Sequence, residues 1–409
     1  MSEANAKREA GVGGQDGRPL KILFISHDGY RAGAQLYLLK AVRWLVANRN
    51  VEATVLLLAG GELEGEFAGI CRTLVLASPP SRLSRLRSDI SRIFRGAAEK
   101  TERIAAHDIP GLLGAIAPDV VYANTLVSGA FLAGVDGFRG RAFVHVHELE
   151  SWIDRYPGFH RAARLNQSET VYGVVSERVG EVMVERFGLS PANVVVAPGF
   201  VSSLPNLAEA DGMRKAGRDL LGIPQEAFVV GGCGTQDLRK GLDIFIGTAE
   251  RLACQSEPAT IRFAWLGGTR DQDFGYWSRV DLAKGAAAAN MSLLDAMADP
   301  APFFAAIDVL FISSREDPFP LIGLEAASWA KPLIAMEKTG GMEGFIGDVA
   351  GIVVPYKDCD AVAAAIKQLA RSPDLCRQFG QAARKRVESD YFVDGRMEAL
   401  HRTLVGMVG

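Results

Sequence analysis

Short apolar runs alternate with amphipathic stretches along almost the whole chain, in two series separated by one polar gap. The first series places strands at 21–26, 52–58, 73–77, 119–123, 142–146, 170–175 and 193–197, with an amphipathic helix from Gly33-Ala34 to about Ala47. The second places them at 228–232, 261–266, 287–293, 309–312, 332–336 and 351–354, and from about Ala361 the pattern is helical to the end. Strands that are apolar throughout are buried on both faces, and a helix between successive strands lets them run parallel. The pattern therefore predicts an α/β protein with two doubly wound parallel sheets, joined by the Pro- and Gly-containing stretch 198–211. In such sheets ligands sit beyond the carboxyl ends of the strands, so the residues just after each strand are the ones to read for function.

A length of 409 residues suits two domains, and an apolar share of 48% is ample for two cores. The net charge of -3 argues against a nucleic-acid partner, which would require many Lys and Arg contacts to phosphate. Five scattered cysteines without a C-x-x-C pair fit reduced thiols rather than a disulfide frame or a zinc site. No apolar run is long enough to span a bilayer, and residues 1–19 are polar and glycine-rich, which reads as a disordered tail and not a signal peptide. These features predict a cytoplasmic protein. The stretch 81–103 holds seven Lys or Arg against three Asp or Glu, with Leu83, Leu86, Ile90, Ile93 and Phe94 at helical spacing. It reads as an amphipathic surface helix, with peripheral contact to an anionic membrane on the inner face as the alternative.

The segment Ser313-Ser314-Arg315-Glu316-Asp317-Pro318-Phe319-Pro320-Leu321-Ile322-Gly323-Leu324-Glu325-Ala326 follows the apolar run 309–312. Seven residues separate Asp317 from Glu325. With a helix starting near Pro320, one carboxylate lies in the loop and the other just over a turn into the helix. The first amides of that helix, Leu321 and Ile322 among them, lack intrahelical partners and face outward with the positive end of the dipole. This suits a phosphate with acidic groups nearby for sugar hydroxyls. A second loop, Gly232-Cys233-Gly234-Thr235-Gln236-Asp237-Leu238-Arg239-Lys240-Gly241, puts two adjacent cations beside glycines at a helix start. Cations there oppose the helix dipole, which favours a functional reading: neutralising a diphosphate leaving group.

Together these segments resemble the E-x7-E region and donor-phosphate loop of retaining glycosyltransferases of family 4, with Asp317 where the first Glu is usual. Residues 21–39 resemble that family's first strand, glycine turn and helix, and the order of elements matches from residue 50 onward, apart from the stretch 79–106. The resemblance implies the GT-B fold: two Rossmann-like domains facing a cleft, with C-terminal helices packing back towards the N-terminal domain. On that reading 20–200 is an acceptor-binding domain, 212–388 a nucleotide-sugar-binding domain, and 389–409 a returning helix. The implied function is retaining transfer of a sugar from a UDP- or GDP-sugar to a saccharide or lipid-linked acceptor, as in polysaccharide or glycoconjugate synthesis.

The resemblance also carries roles. Arg239 and Lys240 face the leaving diphosphate, with Gly234 and Thr235 in the same loop, although Thr235 stands where many members have Arg. Pro320, Leu321 and Ile322 belong to the donor site, Glu325 holds the ribose and Asp317 the transferred sugar. Gly33 and Ala34 meet the donor diphosphate and acceptor, His147 meets the donor sugar, and His27 is a candidate acceptor contact. The loop Thr339-Gly340-Gly341-Met342-Glu343 follows a strand and lines the sugar pocket. Catalysis is expected from His147, Asp317, Lys240 and Arg239, without metal or other cofactor. Val144-His145-Val146-His147-Glu148 alternates, so His145 and His147 share a face, but no third ligand of suitable spacing is visible. Asp271-Gln272-Asp273 has a metal–nucleotide form but reads as a solvated loop. A dinucleotide fold is disfavoured because Asp237 stands where the third glycine would be. The alternatives kept open are a sugar-nucleotide epimerase or a non-catalytic protein on the same scaffold.

Overall fold

The structure is a computed structural model that describes residues 17–77, 101–254, 260–268, 285 and 289–409. Contacts divide the chain into two compact units: residues 1–174, 182–197 and 397–409 form one, and residues 175–181 and 198–396 the other. The final turns of the last helix, Val393–Gly406, thus belong with the N-terminal part of the chain. Residues 389–396, read from sequence as part of the returning segment, cluster with the second unit.

The first unit contains a parallel sheet of β1 (Leu20–Ser26), β2 (Val51–Leu57), β3 (Arg72–Leu76), β4 (Thr101–Ile104), β5 (Val120–Asn124), β6 (Ala142–Val146), β7 (Thr170–Val174) and β8 (Val194–Val196). Its order is β4-β3-β2-β1-β5-β6-β7-β8. The chain moves outward from β1 on one side and then returns to build the other, so β1 and β5 are neighbours where the direction of winding reverses. Ile22, Leu23, Phe24 and Ile25 in β1 are all buried, as expected for a strand covered on both faces. Sequence reasoning missed β4. Residues 101–103 close the basic stretch assigned to a surface helix, but they form this edge strand, whose Glu102 and Arg103 are exposed. The rest of that stretch, 81–100, lies outside the described residues, as do residues 1–16 and Asp271-Gln272-Asp273.

The second unit contains β9 (Phe228–Cys233), β10 (Ile261–Leu266), β11 (Met291–Leu294), β12 (Val309–Ile312), β13 (Leu333–Met336) and β14 (Gly351–Val354), in the order β11-β10-β9-β12-β13-β14. All pairings are parallel, and the winding reverses between β9 and β12. Side chains alternate between two helical layers. Val229, Leu310 and Leu333 pack towards Phe303, Phe304 and Leu324, whereas Val230, Phe311 and Ile334 pack towards Leu242, Phe245 and Ile366. Gly231 and Gly232 lie in the middle of this double packing. A Cβ on Gly231 would stand 2.7 Å from Ile307, and one on Gly232 would stand 2.5 Å from Trp265. The central strand is therefore thin so that large side chains from both layers can close over it, and its C-terminal loop rests on that stack.

Candidate functional site

In the second unit, the loops after β9 and β12 meet beyond the carboxyl ends of the two strands at the reversal point, the expected ligand position. The first loop is shaped by glycines. Gly241 has φ +71, and a Cβ there would lie 2.0 Å from the Ser313 carbonyl, so only glycine lets the two loops touch. Ser313 Oγ donates to the Lys240 carbonyl (3.1 Å), and the Arg315 amide donates to the Arg239 carbonyl (2.8 Å). The Arg315 guanidinium forks onto Asp243 (2.7 and 2.5 Å) and also donates to the Leu238 carbonyl (2.7 Å). Such bidentate geometry fixes direction as well as distance. The segment bearing Arg239 and Lys240 is thus held from both ends.

Lys240 Nζ donates to Asp317 Oδ2, and Arg239 Nη1 lies 3.9 Å from the same oxygen while donating to the Glu316 carbonyl at 3.0 Å. The Asp317 and Lys240 side chains are only 10% and 15% exposed, so this pair is largely removed from solvent. The backbone of Asp317 is pinned in turn: its amide donates to the Thr339 carbonyl (2.7 Å), and it bridges to Gly340. A Cβ on Gly340, at φ +148, would come within 1.7 Å of the Asp317 carbonyl oxygen. Gly341 follows, its amide donating to the Pro318 carbonyl at 3.0 Å. The structure therefore gathers Arg239, Lys240, Asp317, Gly340 and Gly341 into one corner.

Pro320 is the N-cap, not the first helical residue, and the helix runs Leu321–Ser328. Its φ of −68° and extended ψ of 114° suit the ring, and its carbonyl accepts from the Gly323 amide (3.0 Å). No side chain caps this end, so the first amides, Leu321 and Ile322, are left without intrahelical carbonyls. Glu325 is half-buried one turn along, and its charge joins burial in raising the Cys233 thiol to about 12. That links the helix to the end of β9. Gly234 (φ +143) lies against the Lys240 side chain, and Thr235 turns inward, its hydroxyl donating to Asp237 Oδ2 at 2.8 Å. Thr235 thus supplies no charge in place of the missing Arg.

In the first unit, Gly33 and Ala34 open the 16-residue helix Gly33–Asn48, also without a side-chain cap. A Cβ on Gly33 would meet nothing within 4 Å, so packing alone does not require glycine there. His147 stands one residue past β6, its ring 4.2 Å from that of His145. His145 is a satisfied core histidine: it takes a hydrogen bond from Tyr122 Oη (2.6 Å) and donates Nε2–H to the Ala197 carbonyl (2.8 Å), and burial lowers it to about 4. His147 differs. Its Nε2 is enclosed without a partner, and burial, reinforced by His145 and His27, holds the ring well below the usual imidazole value. A neutral histidine with an uncommitted nitrogen can accept or donate one hydrogen bond to a ligand.

Several polar residues escaped sequence reasoning. Glu148 is buried, its carboxylate accepting from the Leu126 amide (3.1 and 3.2 Å) and the His147 amide (2.9 Å), and burial raises it to about 7. Thr125 adopts φ 88° and ψ 159°, a region scarcely open to a β-branched residue. His27, already a candidate acceptor contact from the sequence, has both ring nitrogens engaged, Nε2 with Gln35 Nε2 (2.9 Å) and Nδ1 with Thr125 Oγ1 (3.2 Å), and burial lowers its pKa. No local sequence signal marks these contacts, because each joins the end of one strand to a distant turn. Among the described residues, no group of three His, Cys, Asp or Glu side chains could hold a metal ion, and no helix is long and apolar enough to cross a membrane.

Residues 226–372 match the family model of glycosyl transferases group 1, a span that includes β9 to β14 and the loops bearing Arg239, Lys240 and Asp317. Over that span the chain is similar to the glycosyl transferases of group 1. The chain is 26% identical over 349 residues to a D-inositol 3-phosphate glycosyltransferase of Kineococcus radiotolerans, covering 74% of this chain and 78% of that one. Its fold is similar to that of Anabaena HepE in complex with UDP, with a TM-score of 0.76 and 20% identity over 94% of this chain and all of that one. Sucrose-phosphate synthase from Thermosynechococcus elongatus follows at a TM-score of 0.71 and 18% identity, covering 94% and 99%. The two parallel sheets and these neighbours give the chain the GT-B fold.

Proposed function

We propose that this glycosyltransferase transfers a sugar with retention of configuration from a UDP- or GDP-sugar to a saccharide or lipid-linked acceptor. The observation that carries the reading is the convergence of Arg239 and Lys240 on Asp317 beside the uncapped start of helix Leu321–Ser328. Asp317 is the anion that Lys240 holds. A donor diphosphate offers Lys240 and Arg239 a stronger anion and leaves Asp317 to accept hydrogen bonds from the sugar hydroxyls. Glu325 then takes the ribose hydroxyls, and the Leu321 and Ile322 amides take phosphate oxygens. The anomeric C–O bond to the diphosphate breaks and the acceptor oxygen bonds to the same face. The acceptor proton passes to an oxygen of the departing phosphate. Charge that develops on the leaving group is met by Arg239, Lys240 and the helix N-terminus, so no metal is required. In the first unit, His147 contacts the sugar and the Gly33-Ala34 turn lies against the acceptor side of the diphosphate.

A thermal-shift screen against UDP, GDP, ADP and TDP, with and without EDTA, tests this. A ligand bound only by the folded state adds about 2.7 kcal/mol of stability at 100 times its Kd, and so raises the melting temperature. An EDTA-insensitive shift with UDP or GDP is expected. A shift abolished by EDTA would remove the metal-free mechanism, and no shift with any nucleotide would favour a non-catalytic scaffold.

A further inference from the structure

The C-terminal ends of β1 and β5 carry a polar chain that the donor chemistry does not use. Asp28 Oδ1 accepts from Gln35 Nε2 at 2.6 Å and from the Tyr30 amide at 3.1 Å. The second hydrogen of Gln35 Nε2 goes to His27 Nε2 (2.9 Å), which assigns the imidazole proton to Nδ1, facing Thr125 Oγ1 at 3.2 Å. Gln35 and Thr125 are buried, whereas the Asp28 side chain keeps 21% of its surface exposed. The chain therefore runs from a buried threonine to an accessible carboxylate.

Its buried end is strained. Thr125 makes the whole connection between β5 and helix Leu126–Leu132, and a one-residue turn from strand to helix forces the dihedrals given above. Four partners hold it there. Its amide donates to the His145 carbonyl (2.8 Å), and its carbonyl accepts from the Gly129 amide (3.1 Å). The next amide is held by Glu148, and Asn124 Nδ2 donates to the Ala34 carbonyl (3.0 Å). Strain over-determined in this way, at a reversal point of the sheet, points to a function for the strained residue.

We infer that Thr125 is a positioning residue, acting through His27 and Gln35 to hold Asp28 as the hydrogen-bond acceptor for a hydroxyl of the sugar acceptor. A carboxylate at that position favours a neutral polyol or saccharide hydroxyl and disfavours a phosphate. The inference rests on the functional reading in taking the acceptor to lie on this unit, but its first test does not.

In 15N-His spectra, with His27→Gln identifying the His27 signals, the wild type shows His27 as the Nδ1–H tautomer. Thr125→Gly, which removes the strain and the hydroxyl, gives a tautomer mixture with an unchanged or higher melting temperature, and Thr125→Ser restores the single tautomer. An Nδ1–H tautomer unmoved in Thr125→Gly, or an Nε2–H tautomer in the wild type, overturns the positioning role. With the nucleotide sugar selected by the thermal-shift screen, the wild type transfers to myo-inositol and methyl glucoside at least tenfold faster than to their monophosphates. Asp28→Asn cuts that preference by at least tenfold. Equal transfer to both probe classes in the wild type, or an unaltered ratio in Asp28→Asn, overturns the role of Asp28. No nucleotide release from any donor by the wild type would count against the functional reading, leaving the tautomer result to decide this one.

Discussion

Gly33→Ala separates two explanations for a glycine that the structure leaves sterically free. Gly33 is the first residue of a 16-residue helix, and a Cβ there meets no atom of the protein within 4 Å. Alanine exceeds glycine in helix propensity by about 0.5–1 kcal/mol, partly realised at a first-turn position. The melting temperature should therefore hold or rise by about 1–3 °C, given the usual scaling for a unit of this size. If the space is instead where a phosphate oxygen meets the helix amides, the methyl group displaces it. Losing a charge-assisted hydrogen bond costs about 1.5–3 kcal/mol, or roughly a 10- to 150-fold rise in donor KM. Differential scanning fluorimetry gives the first quantity and nucleotide release at varied donor concentration the second. A variant with wild-type KM would show that Gly33 touches no ligand, and a loss of several degrees would show that the open space is misjudged.

Lys240→Ala should lower turnover by at least 100-fold, since it removes a leaving-group cation. It should also destabilise the fold, because it leaves Asp317 buried beside only the more distant Arg239. The double variant Lys240→Ala/Asp317→Ala should recover melting temperature but not activity; recovery of both would make the pair structural. Glu148 offers a pH test. Its native value, raised from 4.5 to about 7, means that its contribution is fully present below pH 4.5 and is lost as pH rises to 7, by about 3 kcal/mol. The melting-temperature advantage of the wild type over Glu148→Gln should therefore shrink between pH 5 and pH 8, and a constant difference would refute the buried, raised carboxyl. Gly340→Ala should fail to bind nucleotide in the thermal-shift screen, because a Cβ 1.7 Å from the Asp317 carbonyl forces the two loops apart. Wild-type nucleotide binding by that variant would contradict the loop geometry.

The strands could be read from sequence because burial on both faces writes itself as unbroken apolar runs, as in Val309–Ile312 or residues 22–25. The edge strand Thr101–Ile104 could not, since only Ile104 among its residues is buried. The loops bearing Lys240 and Asp317 stood out because glycine, proline and charge cluster directly after a strand. Their direct pairing did not, because it spans 77 positions and depends on how Gly241 lets the loops approach. The Pro320 offset by one residue reflects a ring equally at ease as N-cap or first helical residue. Thr125 and Glu148 were invisible for a different reason: strain and burial of a carboxyl are properties of the assembled turn, not of residue type.

The paired glycines of β9 have a consequence for redesign. Because Ile307 and Trp265 press on Gly231 and Gly232 from opposite faces, the loop after β9 inherits its height from the hydrophobic core. Attempts to change donor preference by mutating the loop's base would be felt as repacking faults across both helical layers. Variation at Lys338 alone, exposed at φ 60°, is the safer place to diversify, because the neighbouring Thr339 is buried and its carbonyl pins Asp317.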